Sequence, residues 1–582
     1  MKVIRNIILV LLFITFVAIC LYIAPNYKKT GYEDKTNLVI NYTNVTAKMK
    51  GKIIREGNEI YLSIDDIKNY YDKNIYIDEK YNVVVVAKDK YYACFDIKNN
   101  TLELNDKKST KKIIKEDNLY YVPITSLQEA YNIEVKYNEV TDCVVIKSLD
   151  RDIKTGVTTS KVAVKSKPNL FSRTIERIDG NAKVYIKIED EPKKVDNSIN
   201  KKPSKSILDK ATKYLNEFEE NIAKDWIYVR TENGTLGYIP SKSIKDINVS
   251  EYKTQVNNKK ISLVWDFYDS KYGKVPKVEA DTKYNGVTAV SPTCFFMRED
   301  IVNEKVGEDG EKYFAWAKEN NYMLWPRLAN ESTTAEDMKA FSNWITDYKK
   351  RQDVINQIVN YVDKYNLDGI NLDFESMYKE DVDCLSRFII ELKPRLAQRN
   401  AILSVDVTEP DGSDTWSLCY DRRVIGEVAD YIVFMAYDQT SGKAKEPGSN
   451  AAYYWVERNV KKFINNEGVN PNKIILGIPF YSKLWKINSN GQIEKSYNIA
   501  MKDQQKHVDR ATTKEWLKDS KQNYIEYVSN DGYTYKMWVE DVKSITEKLN
   551  LINEYNLAGA GFWQNGNEDK EIWDVVTKKI LK

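Results

Sequence analysis

The chain has 582 residues, a formal net charge of +3 from 88 Lys and Arg against 85 Asp and Glu, and a single histidine, His507. This length exceeds one ordinary domain and predicts about three or four. The balanced charge argues against nucleic-acid binding. One histidine argues against a Ser-His-Asp hydrolase, and six scattered cysteines without CxxC spacing form neither a disulfide framework nor a zinc site. No metal or cofactor is therefore expected.

The N-terminus carries an almost unbroken apolar run from residue 7 to 24, with Lys2 and Arg5 before it and Lys28 and Lys29 after it. Such a run is long enough to cross a bilayer, and the basic end would stay in the cytoplasm. We predict a cytoplasmic tip and membrane anchor at residues 1–30, with the remaining chain outside the cell membrane. A secreted protein with a cleaved signal is the alternative, although the run lacks a clear small-x-small cleavage site.

Residues 58–88 and 118–147 resemble each other, with Tyr61–Ile64 corresponding to Tyr121–Ile124. Each half predicts a strand, a helix and two strands, which indicates an internal duplication. The pattern at 36–150 resembles the N-terminal domain of some copper amine oxidases and of many Gram-positive surface proteins. This resemblance implies a stalk or a wall-facing interaction domain. It does not imply copper chemistry, because the segment contains no histidine.

Residues 155–250 predict a small β-barrel with an inserted helix. Val162–Val164, Asp225–Arg230, the turn at 232–234 and Gly237–Ile239 together resemble a bacterial SH3-type barrel, which implies a cell-wall targeting role. Between its halves, five apolar residues at helical spacing predict an amphipathic helix: Leu208, Ala211, Leu215, Phe218 and Ile222. We expect this helix to pack on the barrel, and a partner-binding helix is the alternative.

The segment 255–582 predicts a (β/α)₈ TIM barrel. Amphipathic helical patterns separate several of its apolar, β-branched runs, and chemistry in this fold lies at the carboxyl ends of the strands. The eight runs occur at 261–265, 287–290, 322–325, 368–375, 402–407, 431–435, 474–478 and 558–563.

The fourth run, residues 368–375, ends in acids. If it is a strand, Asn371, Asp373 and Glu375 share one face. Two carboxylates two positions apart lie roughly 7 Å from each other, and each disfavours ionisation of the other. One acid then keeps its proton near neutral pH, which a general acid requires. The alternative is an exposed, solvated strand end.

These residues resemble the strand-four motif Asp-Gly-x-x-x-Asp-x-Glu of family-18 glycoside hydrolases, matched here by Asp368, Gly369, Asp373 and Glu375. Asn371 stands where family members commonly have a further Asp. Three more segments resemble the family's later strands: Met435–Asp438, Gly477–Tyr481 and Trp563. Within the family, the wall-directed, spore-associated N-acetylglucosaminidases are the most similar group.

The resemblance implies substrate-assisted catalysis. Glu375 would protonate the glycosidic oxygen while the substrate's acetamido group attacks, with Asp373 holding its N–H and Tyr437 its carbonyl. Asn371 would hold Asp373 by hydrogen bonding, with weaker charge-dependent tuning than a third acid gives. Asp368 is expected to be structural.

The resemblance and the strand positions also suggest substrate-binding residues beyond this pair of acids. Asn371 and Asp438 would contact substrate, with a cap of the next loop as the alternative for Asp438, and Trp563 would form the floor of the sugar site. The candidate sugar-stacking rings are Trp325, Tyr481 and Trp538, each of which could instead be a packing residue.

The sequence thus predicts a membrane-anchored, extracytoplasmic, retaining glycosidase that cleaves β-1,4 bonds beside GlcNAc in peptidoglycan. Its expected partners are GlcNAc-containing wall glycan and the membrane. One alternative is a chitinase or chitooligosaccharide hydrolase. The other is a non-catalytic glycan-binding barrel, which the presence of Glu375 disfavours.

Overall fold

The computed structural model describes residues 35–188, 225–252, 259–268, 283–530 and 532–581. The chain divides into two compact units: unit 1 contains residues 1–77, 82–86 and 93–256, and unit 2 contains residues 78–81, 87–92 and 257–582. The predicted anchor at 1–30 and the predicted inserted helix at 208–222 both lie outside the described residues. Within the described ranges, no helix is long and apolar enough to cross a membrane.

The N-terminal part consists of short strands and two short helices, and both halves of the sequence repeat have the element order strand, helix, strand, strand. The elements are β1 Asn37–Ile40, β2 Thr43–Asn44, β3 Ile54–Glu56, β4 Glu59–Ser63, α1 Ile64–Tyr70, β5 Tyr76–Asp78, β6 Val83–Lys88, β7 Tyr91–Asp96, β8 Thr101–Leu104, β9 Lys107–Thr110, β10 Ile114–Glu116, β11 Leu119–Pro123, α2 Gln128–Tyr131, β12 Ile133–Asn138 and β13 Cys143–Ser148. Strands β4 and β11 pair antiparallel with Leu62 opposite Val122. Because these two residues are also equivalent in the sequence repeat, the halves meet about a local pseudo-twofold axis.

The next segment forms one antiparallel sheet of seven strands in the order β16-β15-β19-β18-β17-β14-β20. Its strands are β14 Ile153–Thr158, β15 Val162–Lys165, β16 Thr174–Ile178, β17 Lys183–Ile186, β18 Trp226–Thr231, β19 Leu236–Pro240 and β20 Ile244–Ser250. Val164, Val184, Val229 and Ile239 are fully buried in its core. The SH3-type identification of this sheet stays a prediction.

Unit 2 contains a closed parallel barrel, which confirms the predicted architecture. The barrel strands are β21 Ile261–Asp266, β22 Ala289–Pro292, a third strand in two parts (β25 Met323–Leu324 and β26 Arg327–Ala329), β27 Gly369–Asp373, β28 Ile402–Val407, β29 Tyr431–Met435, β30 Ile474–Pro479 and β36 Gly559–Trp563. Each strand pairs in parallel with the next, and β36 pairs with β21 to close the ring. The third strand is interrupted at Pro326, whose nitrogen has no hydrogen to donate to the ladder.

In chain order, the helices lie between the barrel strands or after the last one, and a β-hairpin extends the sheet beside the third strand. These elements are β23 Phe295–Arg298, β24 Ile301–Glu304, α3 Gly307–Glu319, α4 Ala335–Ile345, α5 Tyr348–Tyr365, α6 Val382–Ala397, α7 Arg422–Val428, α8 Tyr453–Asn465, α10 Val542–Glu554 and α11 Ile572–Val576. Apolar faces of the helices and outward-facing side chains of the strands form one continuous core.

The helices α5 and α6 fix the position of the acidic strand β27. Their predicted apolar faces are buried, as expected from the 3.6-residue period. At the end of α5, Asn366 adopts a left-handed φ of 48°, which stops the helix just before the strand. Arg351 of α5 forms a buried ion pair with Glu391 of α6, with Nε to Oε2 at 3.2 Å. Both flanking helices are therefore tied together beneath the strand.

An antiparallel subdomain lies between the seventh and eighth barrel strands, and the sequence analysis did not identify it. It contains β31 Tyr481–Ile487, β32 Ile493–Ala500, α9 Gln505–Arg510, β33 Thr513–Leu517, β34 Gln522–Val528 and β35 Thr534–Val539, in the sheet order β32-β31-β35-β34-β33. Leu484, Ile525, Met537 and Val539 form its own small core.

Candidate active site

The acidic pair lies at the carboxyl end of β27. Asp373 is the last residue of the strand, and Glu375 follows two positions later. Asn330 holds the backbone there: its Nδ2 donates to the Glu375 carbonyl at 2.7 Å, and the Glu375 N–H donates to its Oδ1 at 3.0 Å. Tyr420 donates to the Phe374 carbonyl at 2.7 Å. These hydrogen bonds replace the β-ladder bonds of β27, which ends at Asp373, and they fix Glu375 at the mouth of the barrel.

Asp373 is only 4% exposed, and its two carboxylate oxygens have different surroundings. Oδ2 accepts a hydrogen bond from Nε of Arg327. Oδ1 is buried and receives no hydrogen bond from an N–H or from a Ser, Thr or Tyr hydroxyl in the described part of the chain. One oxygen is thus committed to an ion pair, and the other remains available to a donor.

Glu375 is the acid that keeps a proton. Burial, and after it the negative charge of Asp373, raises the pKa of Glu375 well above its ordinary value. The positive charge of Arg327 opposes this shift without reversing it. A hydrogen bond with Asp373 further favours the protonated form of Glu375. The pair therefore provides one proton donor and one carboxylate, as the sequence predicts.

Asn371 is fully buried and connects four other residues inside the barrel. Its Oδ1 accepts from Trp265 Nε1 at 2.8 Å and from Ser291 Oγ at 3.3 Å. Its Nδ2 donates to Ser404 Oγ at 3.1 Å and to Asp406 Oδ1 at 2.6 Å. The amide oxygen accepts the first two of these hydrogen bonds, and the amide nitrogen donates the other two. The described bonds of Asn371 run to neighbouring strands and not to Asp373, so the expected hydrogen bond to Asp373 is wrong. Because Asn371 is also fully buried, we correct its predicted substrate contact to a positioning role.

Asp406 supplies a third acid that the sequence analysis missed. Burial, followed by the charge of Asp373, raises its pKa well above the ordinary value. We expected weaker charge-dependent tuning of Asp373 because Asn371 stands in place of an acid. The strand β28 contributes the acid Asp406 to the cluster instead. The sequence did contain a signal for this acid: Ser404 and Asp406 are polar residues on the same face of an otherwise apolar strand. Arg327 was also missed, because nothing in its local sequence indicates an ion pair with β27.

Tyr437, after the sixth strand, faces the same acids. Burial and the negative charges of Asp406 and Asp373 raise its pKa well above the ordinary value, so its hydroxyl stays a hydrogen-bond donor. Its ring lies 6.4 Å from the ring of Tyr481 in an edge-to-face arrangement. The structure therefore brings Tyr437 together with Asp373 and Glu375.

Asp438 is exposed at the same mouth and adopts a left-handed φ of 57°. Its Oδ1 accepts hydrogen bonds from the Tyr481 hydroxyl, at 3.0 Å, and from Lys483 Nζ. Tyr481 is only 6% exposed. The predicted stacking role of Tyr481 is therefore corrected: its ring is covered, and its hydroxyl positions Asp438.

Two predicted tryptophans have different outcomes. Trp563 is partly exposed at the end of β36, with its ring 5.8 Å from Trp265 and 5.7 Å from the Arg327 guanidinium. Trp325 is completely buried and stacks on Tyr431 at 5.6 Å. Because Tyr431 begins its strand, Trp325 fills the opposite, amino-terminal end of the barrel. The prediction of Trp325 as a substrate-binding residue is therefore wrong.

The third candidate ring, Trp538, belongs to β35 of the antiparallel subdomain. It pairs edge-to-face with Tyr524, with ring centroids 5.0 Å apart. A role in stacking on sugar stays a prediction for this residue.

A cleft of about 700 Å³ extends from Asp438 along the antiparallel subdomain. Its lining combines carboxylates, an ammonium group, hydroxyls, amides and one partly exposed indole: Glu409, Ser413, Trp416, Asp438, Gln439, Ser441, Gly442, Lys483, Ser496 and Asn498. Trp416 follows the fifth strand and was not singled out by the sequence analysis. This volume fits a pair of sugar rings better than a single small metabolite.

The described residues contain no group of three or more His, Cys, Asp or Glu side chains that could hold a metal ion. The acids of the site are instead bound to Arg327 and Asn371. The arrangement thus offers acid–base chemistry from side chains at the barrel mouth.

Comparison with known proteins identifies two segments of the chain. Residues 334–568 match the model of the glycosyl hydrolases family 18, and residues 39–146 match the copper amine oxidase N-terminal domain. The uncharacterized glycosylase YvbX of Bacillus subtilis (strain 168) is 25% identical over 305 residues, covering 51% of this chain and 86% of that protein.

Two further relatives have names that state an activity. The cortical fragment-lytic enzyme of Bacillus subtilis (strain 168) is 24% identical over 268 residues, covering 44% of this chain and 59% of the enzyme. The di-N-acetylchitobiase of Homo sapiens is 24% identical over 281 residues, covering 41% of this chain and 71% of the enzyme. The chain thus spans about three-fifths of the cortical enzyme's length. The barrel segment is therefore similar to the glycosyl hydrolases family 18, the N-terminal segment is similar to the copper amine oxidase N-terminal domain, and the protein is a glycoside hydrolase.

Proposed function

We propose that the protein is an extracytoplasmic, retaining glycoside hydrolase that cleaves β-1,4 bonds beside GlcNAc in peptidoglycan by substrate-assisted catalysis. The observation that carries this proposal is the arrangement of Asp373. One of its oxygens pairs with Arg327, the other is buried and receives no hydrogen bond from an N–H of the described residues, and the carboxylate hydrogen-bonds with the protonated Glu375. An N–H of the substrate's acetamido group would satisfy that oxygen.

In the first step, Glu375 transfers its proton to the glycosidic oxygen as the bond to the anomeric carbon breaks. The substrate's acetamido oxygen attacks the same carbon from the opposite face and forms an oxazolinium ion. Asp373 accepts the acetamido N–H, and the hydroxyl of Tyr437 donates to the acetamido oxygen. The contact with Asp373 is strongest when the acetamido nitrogen carries positive charge, so it stabilises the transition state, whereas the Tyr437 hydroxyl orients the acetamido oxygen for attack.

In the second step, the Glu375 carboxylate takes a proton from water, and the water oxygen attacks the anomeric carbon. The oxazolinium ring opens and the original anomeric configuration returns. Next to Asp373, an ionised Glu375 is electrostatically unfavourable, which increases its tendency to recover the proton. Arg327 moderates that repulsion while Glu375 is charged.

The substrate and location rest on separate arguments. Substrate assistance requires an N-acetylated sugar at the cleaved position. The similarity to the cortical fragment-lytic enzyme and the copper amine oxidase N-terminal-type domain favour cell-wall glycan. The apolar run at residues 7–24 supports an anchor that holds the enzyme at the outer face of the cell membrane. The similarity to di-N-acetylchitobiase favours a second candidate, hydrolysis of GlcNAc oligosaccharides.

The test compares purified wild-type protein with Glu375→Gln on peptidoglycan and on GlcNAc oligomers, with products identified by mass spectrometry. We expect muropeptides with reducing GlcNAc, loss of about 10²- to 10⁴-fold in rate for Glu375→Gln, and little change in substrate binding. The control is Glu380→Gln, the same change at an exposed glutamate. Products with only reducing MurNAc, or undiminished hydrolysis by Glu375→Gln, would contradict the proposal. Turnover restricted to GlcNAc oligomers would favour the second candidate.

A further inference from the structure

Unit 1 contains a cavity of about 530 Å³ that plays no part in the barrel chemistry. One wall comes from the duplicated domain and the other from the seven-stranded sheet. The lining residues are Asn37, Val39, Tyr42, Thr43, Asn44, Thr141, Cys143, Ser166, Arg173, Ile175, Tyr228, Gly234, Thr235, Leu236 and Gly237. We call this cavity the unit 1 pocket.

The walls of the unit 1 pocket are fixed to each other. Asn138 Nδ2 donates to Asn233 Oδ1 at 2.9 Å, and Thr141 Oγ1 donates to the Asn233 carbonyl at 2.6 Å. Below them, Leu236 packs on the buried side chains of Val39, Cys143 and Val145. Gly234 has a φ of 86°, and a Cβ there would lie 2.6 Å from Val145. The pocket is therefore a built cleft between two packed domains, a common position for ligand sites.

The lining has a distinct chemical composition. Most of its polar groups are uncharged amides and hydroxyls, and two partly exposed tyrosine rings, Tyr42 and Tyr228, face it. Arg173 provides positive charge, and none of the described lining residues carries a carboxylate. Such a surface suits a neutral or anionic ligand rich in hydroxyl and amide groups. A ligand bearing free amines would find no counter-ion there.

Three apolar side chains that are close in sequence to lining residues are exposed to solvent. Val140 is 87% exposed next to the lining residue Thr141. Leu170 and Phe171 are 69% and 85% exposed in the loop between the lining residues Ser166 and Arg173. Because these side chains are close in sequence to lining residues, they are candidate contacts for a ligand in the pocket.

We propose that the unit 1 pocket is a non-catalytic binding site for a glycan chain of N-acetylated amino sugars. The tyrosine rings would stack on sugar faces, and the amides and hydroxyls would pair with ring hydroxyls and acetamido groups. The exposed side chains of Val140 and Phe171, which are close in sequence to lining residues, would contact acetamido methyls. The site would hold the glycan independently of the barrel, so the enzyme would remain on its polymer between cleavage events.

The experiment uses the full chain carrying Glu375→Gln, to prevent hydrolysis, with chitotetraose as the probe. Hydrogen–deuterium exchange is measured with and without the probe. We expect slower exchange at residues 37–44 and 226–237 as well as at the barrel strand. In this background, Tyr228→Ala or Arg173→Gln should weaken the probe's affinity for the pocket about tenfold while leaving protection at the barrel strand intact. Tyr120→Ala, at a partly exposed tyrosine outside the pocket, is the matched control.

Each outcome separates this site from the proposed catalytic function. Protection only at the barrel strand would overturn the pocket proposal and leave the catalytic proposal standing. Protection at the pocket by amine-bearing wall peptides, without protection by chitotetraose, would overturn the glycan assignment. Pocket protection without protection at the barrel would support this inference while contradicting the catalytic proposal. Two separate substitutions, one in β18 and one just before β16, guard against a single variant that fails to fold.

Discussion

Replacing Arg327 with Gln should move the alkaline limb of the pH–rate profile to higher pH. Arg327 Nε binds Asp373, and its positive charge lowers the pKa of Glu375. Without that charge, Glu375 holds its proton to higher pH. Because hydrolysis requires protonated Glu375, activity should persist into a more alkaline range.

The size of this effect follows from Coulomb's law. A unit charge about 6 Å away in an effective dielectric of about 20 contributes roughly 3 kcal/mol, equivalent to about two pH units. The Arg327 side chain is 20% exposed, so solvent screens part of this interaction. We expect the midpoint of the alkaline limb to move up by about one pH unit.

The assay is kcat/KM against pH, measured with an aryl glycoside of GlcNAc. Arg399→Gln removes the same charge from a partly exposed ion pair with Asp363 and serves as the control. Arg327→Lys should restore most of the wild-type profile. An unchanged alkaline limb in Arg327→Gln, or movement to lower pH, would refute the electrostatic reasoning. An equal shift in Arg399→Gln would show that net charge, and not the local pair, is responsible.

Three further substitutions test other parts of the barrel. Tyr437→Phe should lower kcat about 10²-fold with little change in KM, because its hydroxyl orients the acetamido oxygen for attack; a pure KM effect would contradict this. Asn371→Ala should cost about 3 kcal/mol or more in denaturant unfolding, because it leaves Trp265 Nε1 and Asp406 without their partner; exposed Asn490→Ala is the control. Lys548→Met should cost about 3–5 kcal/mol in the same assay, because Glu540 is fully buried and its carboxylate lies 2.9 Å from Lys548 Nζ. Lys521→Met, which removes a solvent-exposed partner of Glu547, should change stability by less than about 1 kcal/mol, and equal losses for the two lysines would contradict the burial argument.

The sequence predicts the barrel well because its signals are local. Each buried strand is a short apolar run, and the helices α5 and α6 show a clear 3.6-residue period. The alternation of Asn371, Asp373 and Glu375 likewise follows from strand geometry alone. The acidic pair and Tyr437 could therefore be singled out as candidate site residues without coordinates.

The missed residues depend on contacts between distant parts of the chain. Arg327 and Asp373 are 46 positions apart, and their ion pair arises only when neighbouring strands align. Asp406 joins the cluster for the same reason. Trp325 was misassigned because the sequence does not tell which end of the barrel an inward-facing side chain fills. The antiparallel subdomain was missed because its half-exposed strands lack the long apolar runs of a parallel sheet.

Trp265 links two parts of the site that would otherwise be independent. Its indole N–H binds Asn371, on the strand that carries the acids, and its ring contacts Trp563, the predicted floor of the sugar site. One rigid, fully buried side chain therefore sets the spacing between the sugar floor and the acidic strand before any substrate arrives. Such preorganisation reduces the entropy lost on binding, because little of the site has to be ordered around the sugar.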